Sequence, residues 1–279
     1  MLNDPNSELF PEKRLDRPHI VKNPNTGKYV CWYKNSGPES CFNVLTADRL
    51  PSPWEMVTVH LNPFGLHIGD FDLVIDEATG KAYIYCEAEH KKYVGFRLNR
   101  EYTDAEEIVS FQYDQIDPPF TREGQSVCQR DGKLWLFTSG MTGYVPNQSD
   151  SAVSEGFEQP FVPVGDPHAA DDSLASFNSQ IGQIFKVPGK KDLYLAVADR
   201  WVPEYPVDRE RAMALRRAAA SRFYKEYQAS EEDSALLAAS PMLNAANTSI
   251  ADYVILPIDW SDGAPKIRWL DAWRLEDYE

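Results

Sequence analysis

Four residues spread along the chain have types and spacing that suit acid–base chemistry: Asp16, Asp70, Glu123 and Gln180. Each stands ahead of a short apolar run that leads into a glycine turn. The turns are at Gly27 in "NPNTGKYVCWY", Gly80 in "DEATGKAYIYCE", Gly132 in "QRDGKLWLFTSG" and Gly189 in "VPGKKDLYLAVADR". The polar residues precede their glycines by 11, 10, 9 and 9 positions. Three carboxylates and a carboxamide around one channel suit glycoside hydrolysis. That reaction needs a carboxylic acid to protonate the leaving oxygen. It also needs a second group on the other face of the sugar, to activate water or to attack directly. Close carboxylates raise one another's pKa and keep the acid protonated near neutrality. Acids ahead of strands are also turn formers. Any one of the four reads that way more readily than as a catalyst, and their shared phase is what points to a site. The drift from 11 to 9 matters, because a one-residue slip reverses a side chain's direction. Turn length must absorb it, and Asp72 competes with Asp70 in the second unit.

The elements that must hold these residues repeat. The glycine turns are 53, 52 and 57 residues apart. A period of this size in an all-β pattern predicts propeller blades. Each unit reads as about four strands bounded by Gly, Pro, Asn and Asp. The first has "RPHIVK", "KYVCWYK", "CFNVLTAD" and "WEMVTV"; the second has "FDLVID", "KAYIYCE", "KKYVGFRLN" and "EEIVSF". The third has "QSVCQR", "KLWLFTSG", "SDSAVSE" and a weak "FVPV"; the fourth has "QIGQIFKV", "DLYLAVAD", "DYVILPIDW" and "KIRWLDAW". Residues 208–246 interrupt the last unit. Their stretch "DRERAMALRRAAASRFYKEY" is rich in Ala, Arg and Glu and predicts a helical insertion. The expected organisation is a single propeller domain over residues 1–279 with that insertion inside it. In such a fold the first strand of each blade lines the central channel, so the four polar starts are expected to converge on one funnel.

Composition narrows the partners. The chain has 279 residues, 43% of them hydrophobic, enough for a sizeable core. Its formal net charge of −15 argues against a general nucleic-acid binder or an anionic-membrane binder. A neutral substrate is compatible with it. Aromatic residues make up 12%, which suits strands and sugar-binding surfaces alike. Trp32, Tyr144 and Trp201 follow repeat strands and could stack on sugar rings; core packing is the competing reading for each. Cys31, Cys41, Cys86 and Cys128 form no CxxC and read as buried small hydrophobes. The five histidines have no zinc-site spacing. No stretch approaches a membrane-spanning length. "MLNDPNSELFPEKRLD" lacks the apolar centre of a signal peptide. As it stands the sequence predicts a cytoplasmic protein, or a secreted or periplasmic one if an export signal precedes it.

The residues resemble glycoside hydrolase family 43, most closely its branch of exo-β-1,3-galactanases. The segments that carry the resemblance are "LDRPHIVKNPNTGKYVCWY", "GDFDLVIDEATGKAYIY", "REGQSVCQRDGKLWLFTSGMTGYVPNQ", "SFNSQIGQIF" and "ADRWVP". It runs from about Leu15 to Leu275, the insertion apart, and its most specific pieces are "SGMTGYVPNQ" and "ADRW". The resemblance implies a five-bladed β-propeller that hydrolyses with inversion, acting from the end of a β-linked galactan or related neutral glycan. It implies Glu123 in "REGQSV" as the general acid and Asp70 as the carboxylate that tunes the acid and orients substrate. Asp16 stands where the branch usually has Glu. Gln180 in "SQ" takes the base role, by positioning the attacking water or through its imidic tautomer. Tyr144 stands where the family often has Trp. Asn147, Asp199 and Arg200 join Trp32, Tyr144 and Trp201 as implied substrate-binding residues.

The family has a further blade ahead of the "RPH" strand, and only about 15 residues precede that strand here. The expected form is therefore a four-blade relative that lacks the first blade. A homodimer, or the helical insertion, would cover the open strand edges. No cofactor is expected. Relatives sometimes hold calcium at the propeller centre, and nothing in this sequence fixes such a site. Two other readings stay open: a catalytically silent, carbohydrate-binding or truncated relative, and a propeller that serves as a protein-interaction platform.

Overall fold

The computed structural model describes residues 4–10, 12–36, 40–51, 53–112, 122–223, 228–240 and 250–279. The chain divides into two compact units. One comprises Met1–Asp114 with Phe157–Pro160, the other Gln115–Gly156 with Phe161–Glu279.

The first unit holds two antiparallel four-stranded meanders. One runs β1 (Asp16–Lys22), β2 (Tyr29–Asn35), β3 (Cys41–Ala47) and β4 (Glu55–Leu61). The other runs β5 (Ile68–Asp76), β6 (Lys81–Ala88), β7 (Lys92–Leu98) and β8 (Ala105–Gln112). The middle strands are buried along nearly their whole length, and β4 alternates between exposed and half-buried positions. A strand covered on both faces must be apolar on both, whereas one with a solvent-facing side needs only one apolar face. The core joins Val30, Trp32, Phe42, Val44, Phe71, Ile84, Cys86 and Phe96.

The second unit repeats the pattern with β9 (Arg122–Arg130), β10 (Lys133–Gly140), β11 (Asp150–Ser154) and β12 (Val162–Gly165), then β13 (Gln180–Lys186), β14 (Tyr194–Arg200), β15 (Asp252–Asp259) and β16 (Lys266–Ile267). Trp135, Phe137, Ile184, Tyr194, Leu256 and Trp260 form its core. The helices α1 (Arg209–Phe223) and α2 (Glu231–Ala238) fall between β14 and β15. The Ser230 side chain caps α2 by accepting from the Asp233 amide, and Asp233 takes Arg217 of α1 at 2.8 and 3.1 Å. Within the predicted 208–246 insertion, residues 224–227 and 241–246 lie outside the described ones.

The fold is therefore all-β, built of four-stranded propeller blades with a pair of helices, as the repeats predict. One element is shorter than its sequence suggests. "KIRWLDAW" pairs only at Lys266 and Ile267, and Trp269 and Leu270 beyond them are exposed. Among the described residues no helix is long and apolar enough to cross a membrane. All four cysteines are free thiols buried in the protein, as small hydrophobes would be.

Candidate functional site

Asp16, Asp70, Glu123 and Gln180 all stand at or near the beginning of the first strand of their sheets. Each of these strands carries an irregularity there. Asp16 and His19 on β1 pair with Lys34 and Trp32; Ile68 and Phe71 on β5 pair with Ala88 and Cys86. Glu123 and Ser126 on β9 pair with Ser139 and Phe137; Ile181 and Gln183 on β13 pair with Ala198 and Val197. In every case the first strand spends one residue more than its partner. Such a bulge re-aims the side chains around it. The bulge is common to all four strands, so the drift in phase lies mainly in the turns, as the sequence requires: Gly27, Gly80, Gly132 and Gly189 follow the ends of their first strands by 5, 4, 2 and 3 positions.

In the second unit the fold brings Glu123 and Gln180 together. Gly124, just after Glu123, adopts φ +61°, and a Cβ there would lie 2.8 Å from Gln180 Cδ. Glycine meets both demands, since it accepts the left-handed region and leaves room for the carboxamide. Ser139 links the pair: its hydroxyl accepts from Gln180 Nε2 at 2.6 Å and lies 3.4 Å from the Glu123 carbonyl oxygen. Glu123 is half-buried. The same serine and Gln180 line a narrow crevice that also has Gly143, Tyr144, Asn178 and Trp201 in its wall. Tyr144 and Trp201 meet edge to face, ring centroids 5.5 Å apart. Asp199 is the cross-strand partner of Gln180, and its Oδ2 would be 3.4 Å from a Cβ on Gly182.

In the first unit Asp70 is engaged by two cations. Lys34 Nζ donates to its Oδ1 at 2.7 Å, and Arg17 lies 3.8 Å from its Oδ2. Lys34 is also the cross-strand partner of Asp16. Burial works against the charge on Lys34, but the Asp70 carboxylate outweighs it and holds the ammonium above the ordinary lysine value. The competing Asp72 is 1% exposed, accepts from the Leu73 amide at 2.7 Å and stands 3.3 Å from His19 Nδ1. Burial lowers the His19 pKa in spite of that carboxylate. Asp72 therefore belongs to the interior, and Asp70 is the more accessible acid of the two.

Three implied binding residues have other partners in the fold. Trp32 is completely buried, and its indole N–H donates to the Tyr102 carbonyl at 2.7 Å. It packs the first unit and has no face for a sugar. Asn147 spends its amide on its own loop: Oδ1 accepts from the Gly140 amide, and Nδ2 donates to the Gly140 carbonyl and Thr142 Oγ1, all at 2.6–2.7 Å. Arg200 donates to the carbonyls of Phe177 and Pro203 and lies 5.2 Å over the Trp269 ring, so it braces loops. Sequence reasoning missed Ser139, Lys34 and Arg17. The available signals were a serine just ahead of "GMTGY" and a lysine closing the aromatic run "KYVCWYK".

No family model and no curated protein matches the chain. Solved structures do. A β-1,3-galactosidase of glycoside hydrolase family 43 superposes with a TM-score of 0.73 at 21% identity, over 95% of this chain and 47% of that one. An exo-β-1,3-galactanase from Phanerochaete chrysosporium with galactose gives 0.69 at 17%, over 95% and 51%. A family 43 β-1,3-galactosidase with galactodeoxynojirimycin gives 0.70 at 18%, over 98% and 80%. The chain spans about half the length of the first two. At these identities the likeness is one of fold. The chain has the β-propeller fold of the family 43 β-1,3-galactosidases and galactanases.

Proposed function

We propose that the protein is a glycosidase acting on a β-linked neutral glycan of the galactan type, removing sugars from its end with inversion. The observation that carries this reading is the Glu123–Ser139–Gln180 arrangement beside the crevice of Tyr144 and Trp201. Glu123 is half-buried, and its backbone carbonyl is tied to Ser139 of that crevice; its carboxyl is proposed to protonate the glycosidic oxygen. Gln180 Nε2 is committed to Ser139. Its Oε1 is then the atom that accepts a hydrogen bond from the attacking water and orients it. Asp16 and Asp70 enter the proposal through their matching phase, Asp70 as the carboxylate that orients substrate. The solved structures with this fold support a carbohydrate substrate.

A second reading has an observation of its own. Gln180 is an amide where a base is needed, which suits a propeller that binds sugar without cleaving it. One experiment separates the two. The purified chain is incubated with β-1,3-galacto-oligosaccharides and a panel of nitrophenyl glycosides, with Glu123→Gln alongside, and sugar binding is measured by calorimetry. Release of monosaccharide by the wild type, lost at least a thousandfold in Glu123→Gln with binding kept, is the expected result. Binding without release by either form would establish the silent reading.

A further inference from the structure

Helices α1 and α2 lie between β14 and β15 in the chain without joining their sheet. Their contacts are with the loop that carries Tyr144. Val145 is 2% exposed, and it packs with Leu215, Ala218 and Ala219 of α1 and Leu237 of α2. Just ahead of the insertion, the carbonyls of Pro203 and Tyr205 accept from Asn178, both at 2.9 Å, two residues before Gln180.

The third attachment is polar. Arg216 of α1 donates to Gln148 Oε1 at 2.8 Å. The Gln148 side chain also hydrogen-bonds Asp166, and the Gln148 backbone carbonyl accepts from Arg122 at 3.1 Å. Arg122 is 6% exposed, grips Thr138 through its side chain and carbonyl oxygens, and is the residue before Glu123. Burial lowers the Arg216 pKa and the nearby Arg122 guanidinium lowers it further, against the Asp166 carboxylate, which raises it. A half-buried arginine beside a like charge is an unfavourable place for a solvent-seeking side chain. Among its partners there is Gln148, the residue that joins the Tyr144 loop to the strand start of Glu123.

We propose that the helical insertion is part of the site, and that Arg216 is a positioning residue: through Gln148 it holds the Tyr144 loop and the Arg122–Glu123 strand start in register. The proposal rests on the glycan-site reading of this crevice and names what fixes its aromatic wall. An arginine suits the task because its planar fork holds a carboxamide in one orientation, whereas a lysine acts as a single rotatable donor.

The test compares Arg216→Ala and Arg216→Lys with Arg217→Ala. Arg217 ties α1 to α2 through Asp233 and is not a partner of the Tyr144 loop. Hydrogen exchange of the Gly140 and Val145 amides is the first readout, since both are bonded within the loop. It needs no substrate. Arg216→Ala should speed their exchange at least tenfold, Arg216→Lys should restore part of the protection, and Arg217→Ala should leave it unchanged. The second readout is turnover and sugar affinity: Arg216→Ala should raise KM or Kd about tenfold with a smaller change in kcat. Unchanged loop exchange in Arg216→Ala, or equal effects of Arg216→Ala and Arg217→Ala, would overturn the proposal. Faster loop exchange in a chain that neither binds nor cleaves sugar would keep the positioning role and remove the glycan reading instead.

Discussion

His168 offers a test of the second unit that is independent of any substrate. It is 2% exposed, packs edge to face on Phe177 at 5.3 Å, and its Nδ1 has no hydrogen-bond partner. Burial lowers its pKa from 6.5 to about 4, with Asp171 acting weakly in the other direction. The unfolded chain therefore takes up a proton near pH 6.5 that the folded chain refuses until about pH 4. Between those values the unfolded state binds more protons, so stability rises with pH and is lost as pH falls. Integrated from pH 7.5 down to pH 5, a shift of this size removes about 2 kcal/mol. Asp166 works with the opposite sign. Its carboxyl is held up by burial, so its contribution is present below its ordinary pKa near 3.8 and fades as pH rises. The assay is urea unfolding of the wild type and His168→Asn at half-unit steps from pH 7.5 to 5. The variant will be less stable at pH 7.5 because of its altered packing, and that offset is subtracted. What matters is the slope: the wild type should lose about 2 kcal/mol more than the variant across the window. Parallel curves would show that His168 is solvated or partnered in the folded protein, and the argument from its burial would be wrong.

Gly124→Ala should cut turnover at least tenfold, because a Cβ at φ +61° both strains the backbone and strikes Gln180. Gly132→Ala is its control: φ is +76° there with no atom within 4 Å of the added carbon, so it should cost stability of about 1 kcal/mol and leave turnover intact. Trp32→Phe should cost about 2 kcal/mol in a denaturant titration, from lost volume and an unpaired Tyr102 carbonyl. Sugar affinity measured by calorimetry should not change; a weakened affinity would return Trp32 to the binding surface.

The blades were legible because each is a meander with a short glycine turn between its first two strands, and that turn leaves a mark in composition. Val, Ile, Tyr and Trp runs bounded by turn residues need no long-range information to be seen. Trp32 shows where this fails. An aromatic residue in a buried inner strand and one at a sugar-binding rim have the same neighbours in sequence, and only the Tyr102 carbonyl 70 residues away decides between them. Lys34 shows the same limit for charge. Its pairing with Asp70 spans 36 residues, and the acid reads as unattended until the fold is known.

The candidate site was legible as a phase but not as a direction. Direction within a strand is set by register, and one extra residue reverses it. Each of the four first strands carries that extra residue beside its polar start, in stretches as different as "DRPH", "IGDF", "EGQS" and "IGQ". Gly124 and Arg17 both take positive φ there, although one is the residue best suited to it and the other is not. The bulge is therefore imposed by the sheet and not by local preference, and arginine accepts strain that glycine would not feel. A backbone feature that four different short stretches adopt at one place in the blade is held there by what it aims, which is why the polar starts, and not the turns, are the part of this repeat on which the chemistry should be sought.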